Sequence, residues 1–218
     1  MSDAEYEKRA AAEAAAALVK DGSTIGLGSG STVAHLLPVL ARRQLSLRCV
    51  ATSPATEESA RDLGLQVEPF EAVDSLDIAI DGADQVDPAG WLIKGGWGAH
   101  TREKIVASAA ERFVVIVSSE KLVEALLPPV PLELLAFGVA ATLHRLGQAA
   151  LRDAPPSPDG GLIADYLGEI TEPAALAARL AATAGVVEHG LFSPELVSEI
   201  LVGRGSRVDR VVPPSGDI

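Results

Sequence analysis

TIGLGSGSTVAHLL, residues 24–37, carries the strongest fold signal in the sequence. A short apolar run leads into the glycine-rich loop GLGSGST (26–32), and a helix pattern follows directly. Glycines let a ligand approach the backbone, and the free N–H groups at a helix start bind anions. Ser31 stands where the dinucleotide fingerprint has its last glycine, and no Gly-Lys-Ser/Thr of a P-loop follows. The loop therefore predicts either a phosphate site or an ordinary tight turn that caps a helix.

Apolar strands alternate with helices over the first 125 or so residues, as expected for a parallel sheet covered on both faces. Pro38 lies inside the helix that follows the glycine loop, and we expect it to kink or end that helix. The predicted strands are LSLRCVAT, LDIAIDGAD, WLI and FVVIVSS, and the predicted helices are DAEYEKRAAAEAAAALV, PATEESARDLG and TREKIVASAAER, with a helical turn at KLVEALL.

The pattern changes near LLPPVP, residues 126–131. The order that follows is β-α-β-β-α-β, which is typical of a ferredoxin-like unit. Its predicted elements are VPLELLAF, GVAATLHRLGQAA, ALR, LIADYLGEI, EPAALAARLAAT and GVVEHGLF. The tail, SEILVGRGSRVDRVV, is expected to supply one or two more strands that return to the first domain. The predicted class is α/β: a Rossmann-like, doubly wound parallel sheet domain (1–128 plus 204–218) with a smaller ferredoxin-like α+β lid domain (129–203).

Composition and charge narrow the classes of function. Hydrophobic residues make up 48% of the 218, enough for a buried core, and no apolar run approaches the roughly 18 residues of a membrane span. The net charge of −12 argues against nucleic acid and anionic membrane surfaces as partners, but a small anion needs only one local site. Cys49, the single cysteine, lies in an apolar run and is predicted to be a buried, unreactive thiol. We expect a cytoplasmic protein.

Two carboxylates mark the end of a predicted buried strand. Asp81 and Asp84 lie in the sequence DGAD, and open α/β sheets bind ligands at the carboxyl ends of their strands. Asp-Gly is also common in simple turns, so a structural role is the alternative. The neighbouring DQVD offers carboxylates without a histidine, and we predict no metal there.

The stretch LIKGGWGAHTREKI, residues 92–105, combines an ammonium, a glycine turn and a carboxylate. Lys94 follows a short strand, and Thr101 is predicted to cap the helix that carries Glu103 in its first turn. The helix dipole favours a carboxylate there, although such a glutamate is often simply solvated. With the glycine loop and the aspartates, the stretch indicates a proton-transfer site for a phosphorylated substrate.

The motifs together resemble one known family. GLGSGSTVAHLL, ATSPATEESARDLGL, DIAIDGADQVD, LIKGGWGAHTREKIVA, SSEKLV and GVVEHGLF, in this order, resemble ribose-5-phosphate isomerase of type A over nearly the whole chain. The resemblance implies isomerisation of D-ribose 5-phosphate to D-ribulose 5-phosphate through an enediolate, with no metal and no cofactor. It also implies a cytoplasmic homo-oligomer, with a homodimer expected and a tetramer as the alternative.

The resemblance also implies roles for single residues. Glu103 matches the catalytic base, Asp81 an acid/base group near the sugar oxygens, and Lys94 the group that stabilises the enediolate. Asp84 matches a residue that orients the substrate, and Lys8 is a further candidate for the phosphate. The residues that match substrate-binding positions are Ser29, Gly30, Ser31, Thr32, Gly82, Ala83, Gly95, Gly96, Trp97 and Lys121.

Four departures from the family pattern bear on substrate fit. Trp97 replaces a glycine, His100 an aliphatic residue and Ser118 an acid, while SPDGG (157–161) replaces TDNGN in the lid loop. We predict an ordinary φ at Trp97, with its ring at the mouth of the site. The alternatives are an isomerase of another sugar phosphate and a non-catalytic sugar-phosphate sensor. A sensor would be free to lose Glu103, and this acidic chain has no room for a separate DNA-binding domain.

Overall fold

A computed structural model describes residues 2–214. Its helices are α1 (Asp3–Leu18), α2 (Ser31–Arg42), α3 (Pro54–Asp62), α4 (His100–Ser108), α5 (Val139–Leu146) and α6 (Pro173–Ala181). Its strands are β1 (Thr24–Leu27), β2 (Arg48–Ala51), β3 (Ile78–Asp81), β4 (Gln85–Val86), β5 (Leu92–Ile93), β6 (Phe113–Ser118), β7 (Val130–Leu134), β8 (Ala149–Leu151), β9 (Leu162–Tyr166), β10 (Val186–His189), β11 (Leu191–Phe192), β12 (Glu199–Arg204) and β13 (Arg207–Val211).

The larger sheet has six strands in the order β13-β12-β6-β3-β1-β2. All neighbours pair in parallel except β12 and β13. Alternate residues of β3 enter different cores: Ile78 and Ile80 pack with the buried alanines of α1 and with α2, whereas Ala79 packs with Val106 and Ala107 of α4. The predicted parallel sheet, covered on both faces, is confirmed.

Two local predictions need refinement in this part of the chain. Pro38 does not end α2, which runs on to Arg42 because Leu36, Leu37 and Leu40 bury the helix against the sheet. The helical turn predicted over 121–127 is wrong, since only a 3-10 turn at Ser119–Lys121 forms. Cys49 is fully buried as predicted, and burial raises the pKa of its thiol to about 12.

The smaller sheet is antiparallel, with the order β10-β7-β9-β8. With α5 and α6 it has the predicted ferredoxin-like sequence of elements. The helix predicted over 138–150 ends at Leu146, because residues 149–151 form β8 and pair with β9. The single strand predicted over 185–192 divides at Gly190, since β11 leaves this sheet and pairs with β5 in a third sheet, β11-β5-β4.

Strand membership bears on the predicted division of the chain. The boundary proposed between residues 203 and 204 falls inside β12, and β12 pairs with β6 of the larger sheet. A division by sheets would therefore place residues 199–203 with the first unit. The two-domain division stays a prediction, and residues 215–218 of its first domain lie outside the described residues.

The strand order creates a crevice at one edge of the larger sheet. The chain moves from β1 to β2 on one side and later returns to place β3 on the other side of β1. The loops after β1 and β3 therefore leave the sheet next to each other, which is where open α/β sheets bind ligands. No helix within residues 2–214 is both long and apolar enough to cross a membrane.

Candidate active site

The glycine loop after β1 lies directly against the end of β3. A Cβ placed on Gly28 would lie 1.9 Å from Cγ of Asp81, so only glycine permits this approach. The backbone N–H of Ser29 then donates to Oδ1 of Asp81 at 3.1 Å, and the N–H of Gly82 donates to the same oxygen at 2.7 Å. Two backbone amides thus fix the Asp81 carboxylate.

Lys94 lies at the floor of the crevice, directly after β5, and is only 3% exposed. Its Nζ lies 2.9 Å from Oδ2 of Asp81 and 3.1 Å from Oε2 of Glu103. It also donates to the carbonyl of Gly82 at 2.6 Å. An ammonium has three protons to donate, and three oxygens surround it here: one accepts a hydrogen bond and two form ion pairs with it.

Burial and charge act against each other in this triad. Burial, reinforced by the charge of Glu103, raises the pKa of Asp81 to about 7, although Lys94 opposes the shift. Burial alone would lower the pKa of Lys94, but Asp81 and Glu103 together raise it above the ordinary value of a lysine. Lys94 is therefore a permanent cation near neutral pH, while Asp81 is poised to gain or lose a proton.

Glu103 is held in the first turn of α4 and is 5% exposed. Ser29 donates its hydroxyl to Oε1 at 2.5 Å, while Oε2 faces Lys94. The predicted cap by Thr101 is wrong, because α4 begins at His100 and its N-cap residue, Ala99, makes no side-chain cap. The Thr101 hydroxyl instead donates to Glu133 of β7, a buried carboxylate that needs donors.

The turn between Lys94 and α4 depends on its first glycine. Gly95 has φ +106°, and a Cβ there would lie 2.7 Å from Nδ1 of His100. The His100 ring fills the space below the turn, and neither ring nitrogen has a hydrogen-bond partner within residues 2–214. Burial lowers the pKa of His100, which favours its neutral form.

Trp97 has the ordinary backbone that we predicted. Gln44 is the non-glycine residue with positive φ in the described chain, so Trp97 has none of that strain. Its side chain is 81% exposed, and its Nε1 lies 3.5 Å from the position of a Cβ on Gly30. The indole thus spans from the KGGW turn to the glycine loop at the mouth of the crevice.

The crevice encloses a cavity of about 220 Å³. Every residue predicted for the site lines it except Asp81, which lies against the Lys94 ammonium, and the further candidate Lys8. Lys8 does not line this cavity, and its ammonium pairs with Glu5 at 2.9 Å. The lining residues are Ser29, Gly30, Ser31, Thr32, Gly82, Ala83, Asp84, Lys94, Gly95, Gly96, Trp97, Glu103 and Lys121.

Sequence reasoning missed three side chains that support the site. Ser29 was assigned to substrate binding alone, yet it also holds Glu103. The ring of Phe192 lies 5.5 Å from Nζ of Lys94, and Arg152 donates to the turn at Gly95 and Gly96. Phe192 and Arg152 lie far along the chain from the turn, and no local pattern shows their pairing with it.

Comparison with known proteins decides the family. The model of the family described as ribose 5-phosphate isomerase A (phosphoriboisomerase A) matches residues 48–207. The chain belongs to this family. A ribose-5-phosphate isomerase A from Caulobacter sp. (strain K31) is 42% identical over 225 residues, which cover 96% of this chain and 99% of that protein.

Solved structures of ribose-5-phosphate isomerases share the fold. The crystal structure of ribose 5-phosphate isomerase A from Neisseria gonorrhoeae has a TM-score of 0.90 and 32% identity, and the match covers 95% of this chain and 96% of that one. A D-ribose-5-phosphate isomerase in complex with phospho-erythronic acid has a TM-score of 0.90 and 32% identity, covering 97% and 100%. The predicted family and fold class are confirmed, and the protein is an isomerase rather than a sensor.

Proposed function

We propose that this chain interconverts D-ribose 5-phosphate and D-ribulose 5-phosphate through an enediolate. One observation carries the proposal: a buried ammonium, Lys94, lies between the carboxylates of Asp81 and Glu103 beside a cavity bounded by a glycine loop. An aldose–ketose isomerisation needs a base, a fixed cation and an anion site for the phosphate. The family supports this substrate.

Glu103 acts as the base in this proposal. It removes the C2 proton of the open-chain aldose and returns a proton to C1. In the same conversion the hydroxyl on C2 loses its hydrogen and becomes a carbonyl, and the carbonyl oxygen on C1 gains a hydrogen and becomes a hydroxyl. The ammonium of Lys94, 3.1 Å from Oε2, and the hydroxyl of Ser29, which donates to Oε1, hold this carboxylate in place beside the cavity. Hydrogen moves within one substrate, so the step needs no external oxidant or reductant.

Lys94 and Asp81 handle the charge on oxygen. A preorganised cation stabilises the developing enediolate most where water is excluded, and Lys94 is buried. Asp81, whose pKa burial raises to about 7, exchanges a proton with the sugar oxygens near neutral pH. Asp84 lines the cavity and orients the sugar.

The phosphate end of the substrate fits the start of α2. Gly30 is its N-cap, with φ +89°, and Ser31 and Thr32 form its first turn. No side chain caps this helix end, so its N–H groups and the two hydroxyls are open to an anion. Lys121 lines the same cavity and adds a second cation beside Lys94.

The direct test is formation of ribulose 5-phosphate from ribose 5-phosphate, followed in a coupled assay. We expect turnover by the wild type and a loss of about 100- to 10,000-fold in Glu103→Gln, which keeps the size of the side chain but cannot accept the proton. Exchange of the C2 hydrogen with solvent deuterium should fall equally, while a non-isomerisable analogue still binds in calorimetry.

The matched control is Glu13→Gln, on the exposed face of α1, which should be as active as the wild type. An inactive wild type would refute the substrate. Undiminished C2 exchange in Glu103→Gln would move the base to Asp81 or Asp84.

We also propose that the protein is a cytoplasmic homodimer, with a tetramer as the alternative. Apolar side chains left exposed after β7 support association, since Leu135 is 53% and Phe137 94% exposed. Light scattering of the purified protein tests the assembly, and a monomer at micromolar concentration would refute it. Fractionation of the producing cells tests the location.

A further inference from the structure

The guanidinium of Arg152 is held rigidly by the smaller sheet. Arg152 directly follows β8, and its backbone N–H donates to the carbonyl of Ile163 at 2.9 Å. Its Nε and Nη2 donate to the two oxygens of Asp165 in β9, at 3.0 and 2.5 Å. A two-bond pair of this kind fixes the plane of the guanidinium as well as its position.

The remaining nitrogen of the same guanidinium reaches the KGGW turn. Nη1 of Arg152 donates to the carbonyl of Gly95 at 3.2 Å and to that of Gly96 at 3.0 Å. Arg152 itself does not line the 220 Å³ cavity. It therefore contacts the outer side of a turn whose inner side, through Lys94, Gly95 and Gly96, forms the cavity wall.

One peptide unit connects Arg152 to a carboxylate of the site. The carbonyl of Gly95 accepts from Arg152, and the N–H of Gly96, in the same peptide plane, donates to Oδ2 of Asp84 at 2.9 Å. A cation at the oxygen end and an anion at the hydrogen end polarise the peptide in the same sense, so each bond strengthens the other. The hydrogen bonds that Arg152 donates to Asp165 raise the pKa of Arg152 most, and the charge of Asp84 raises it further.

We propose that Arg152 is a positioning residue of the active site, which orients the Gly95–Gly96 peptide and, through it, the carboxylate of Asp84. The inference rests on the proposed function, because Asp84 is assigned there to orient the sugar. Arg152 acts from β8 of the smaller sheet, and the turn precedes α4 on the larger one. The geometry of the site therefore depends on how the two sheets meet.

The test compares Arg152→Gln in two backgrounds. In the wild-type background we expect kcat to fall on the order of 100-fold, because a small misplacement of a substrate-orienting group is enough for such a loss. In the Asp84→Asn background the same change should reduce kcat less than about threefold, since the peptide no longer positions a carboxylate. Equal losses in both backgrounds would overturn the proposal and leave Arg152 a structural residue.

Three further experiments separate positioning from folding. Arg48→Gln is the control, since Arg48 holds Glu68 with the same two-bond geometry, 3.0 and 2.7 Å, and should keep wild-type turnover. If Arg152→Gln does not fold, Arg152→Lys in both backgrounds answers the same question. Guanidinium ions at low concentration should restore part of the activity of Arg152→Ala, and no restoration would count against the proposal. An inactive wild type would refute the substrate instead, so the two failures are distinct.

Discussion

Two lysines, Lys94 buried and Lys104 partly buried, lie against the same aromatic ring, and their pKa values shift in opposite directions. Nζ of Lys94 lies 5.5 Å and Nζ of Lys104 4.9 Å from the centre of the Phe192 ring. Lys94 has two carboxylate partners, Asp81 and Glu103, whereas Lys104 has one, Glu188, at 2.7 Å. The pKa of Lys94 is raised, but burial lowers that of Lys104 because Glu188 does not outweigh it.

The difference shows what makes a buried ammonium useful in catalysis. Burial alone disfavours any charge, and one partner only limits the loss. A second carboxylate raises the pKa of the ammonium, which therefore stays charged. It also leaves one more negative charge than positive charge, and a proton can neutralise the excess, as at Asp81. Lys104 has no such surplus: it donates to Glu188 and to the carbonyl of His189 at 2.7 Å, and so joins α4 to β10.

Lys94→Met should have the largest effect on catalysis of the changes to the two lysines. It keeps the length of the side chain and removes the charge that stabilises the enediolate, so we expect kcat to fall roughly 100- to 1,000-fold. The coupled assay on the folded variant measures it. Turnover close to that of the wild type would show that Lys94 is a structural residue like Lys104.

Lys104→Met should have the complementary effect. Removing Lys104 leaves Glu188, a partly buried carboxylate, without its cation, and we expect the free energy of unfolding to fall by about 3 kcal/mol. Since Lys104 does not line the cavity, kcat should stay within about threefold of the wild type. Urea unfolding and the coupled assay are the two measurements. A folded Lys104→Met with the catalytic loss of Lys94→Met would remove the distinction between the lysines.

His189, which contacts Lys104, should make the stability of the protein depend on pH. Its Nδ1 accepts from the backbone N–H of Leu191 at 3.3 Å and lies 3.3 Å from Nζ of Lys104, as a neutral ring requires. Burial, with the charge of Lys104, lowers the pKa of His189 to about 4. The unfolded chain, with an ordinary histidine pKa near 6.5, therefore binds the proton first as pH falls.

His189 thus contributes stability above about pH 6.5 that is lost as pH falls toward 4. By pH 5 we expect a loss on the order of 2 kcal/mol from this group. Unfolding of the wild type and of His189→Gln, measured between pH 7 and 5, gives the difference. The same slope in both proteins would contradict the assignment to His189.

Much of the larger sheet and its site could be predicted because the signals are local. FVVIV, residues 113–117, is apolar throughout, as expected for a strand buried on both faces. The glycine loop lies between a strand and a helix that are adjacent in sequence. DGAD ends β3 as predicted. The glycine loop follows β1 and the aspartates follow β3, and the carboxyl ends of parallel strands lie at the same edge of a sheet. The two strands alone were therefore enough to place the loop and the aspartates at one edge.

The remaining features depend on contacts between distant segments. Gly190 divides β10 from β11 because a Cβ there would lie 2.1 Å from the carbonyl of Lys94, and nothing within GVVEHGLF indicates that neighbour. The alanines of 149–150 favour helix by propensity, but pairing with β9 prevails. Thr101 resembles a helix cap until Glu133 of β7 is placed beside it.

Strand β13 affects the tendency of the protein to aggregate in concentrated solution. β12 is buried along nearly its whole length, and β13 covers its outer side with a strand that is largely exposed. The charged residues Arg207, Asp209 and Arg210 fall on this outermost strand, and charges on an edge strand oppose pairing with the strand of another chain. The last hairpin of the chain therefore protects the apolar sheet from edge-to-edge aggregation.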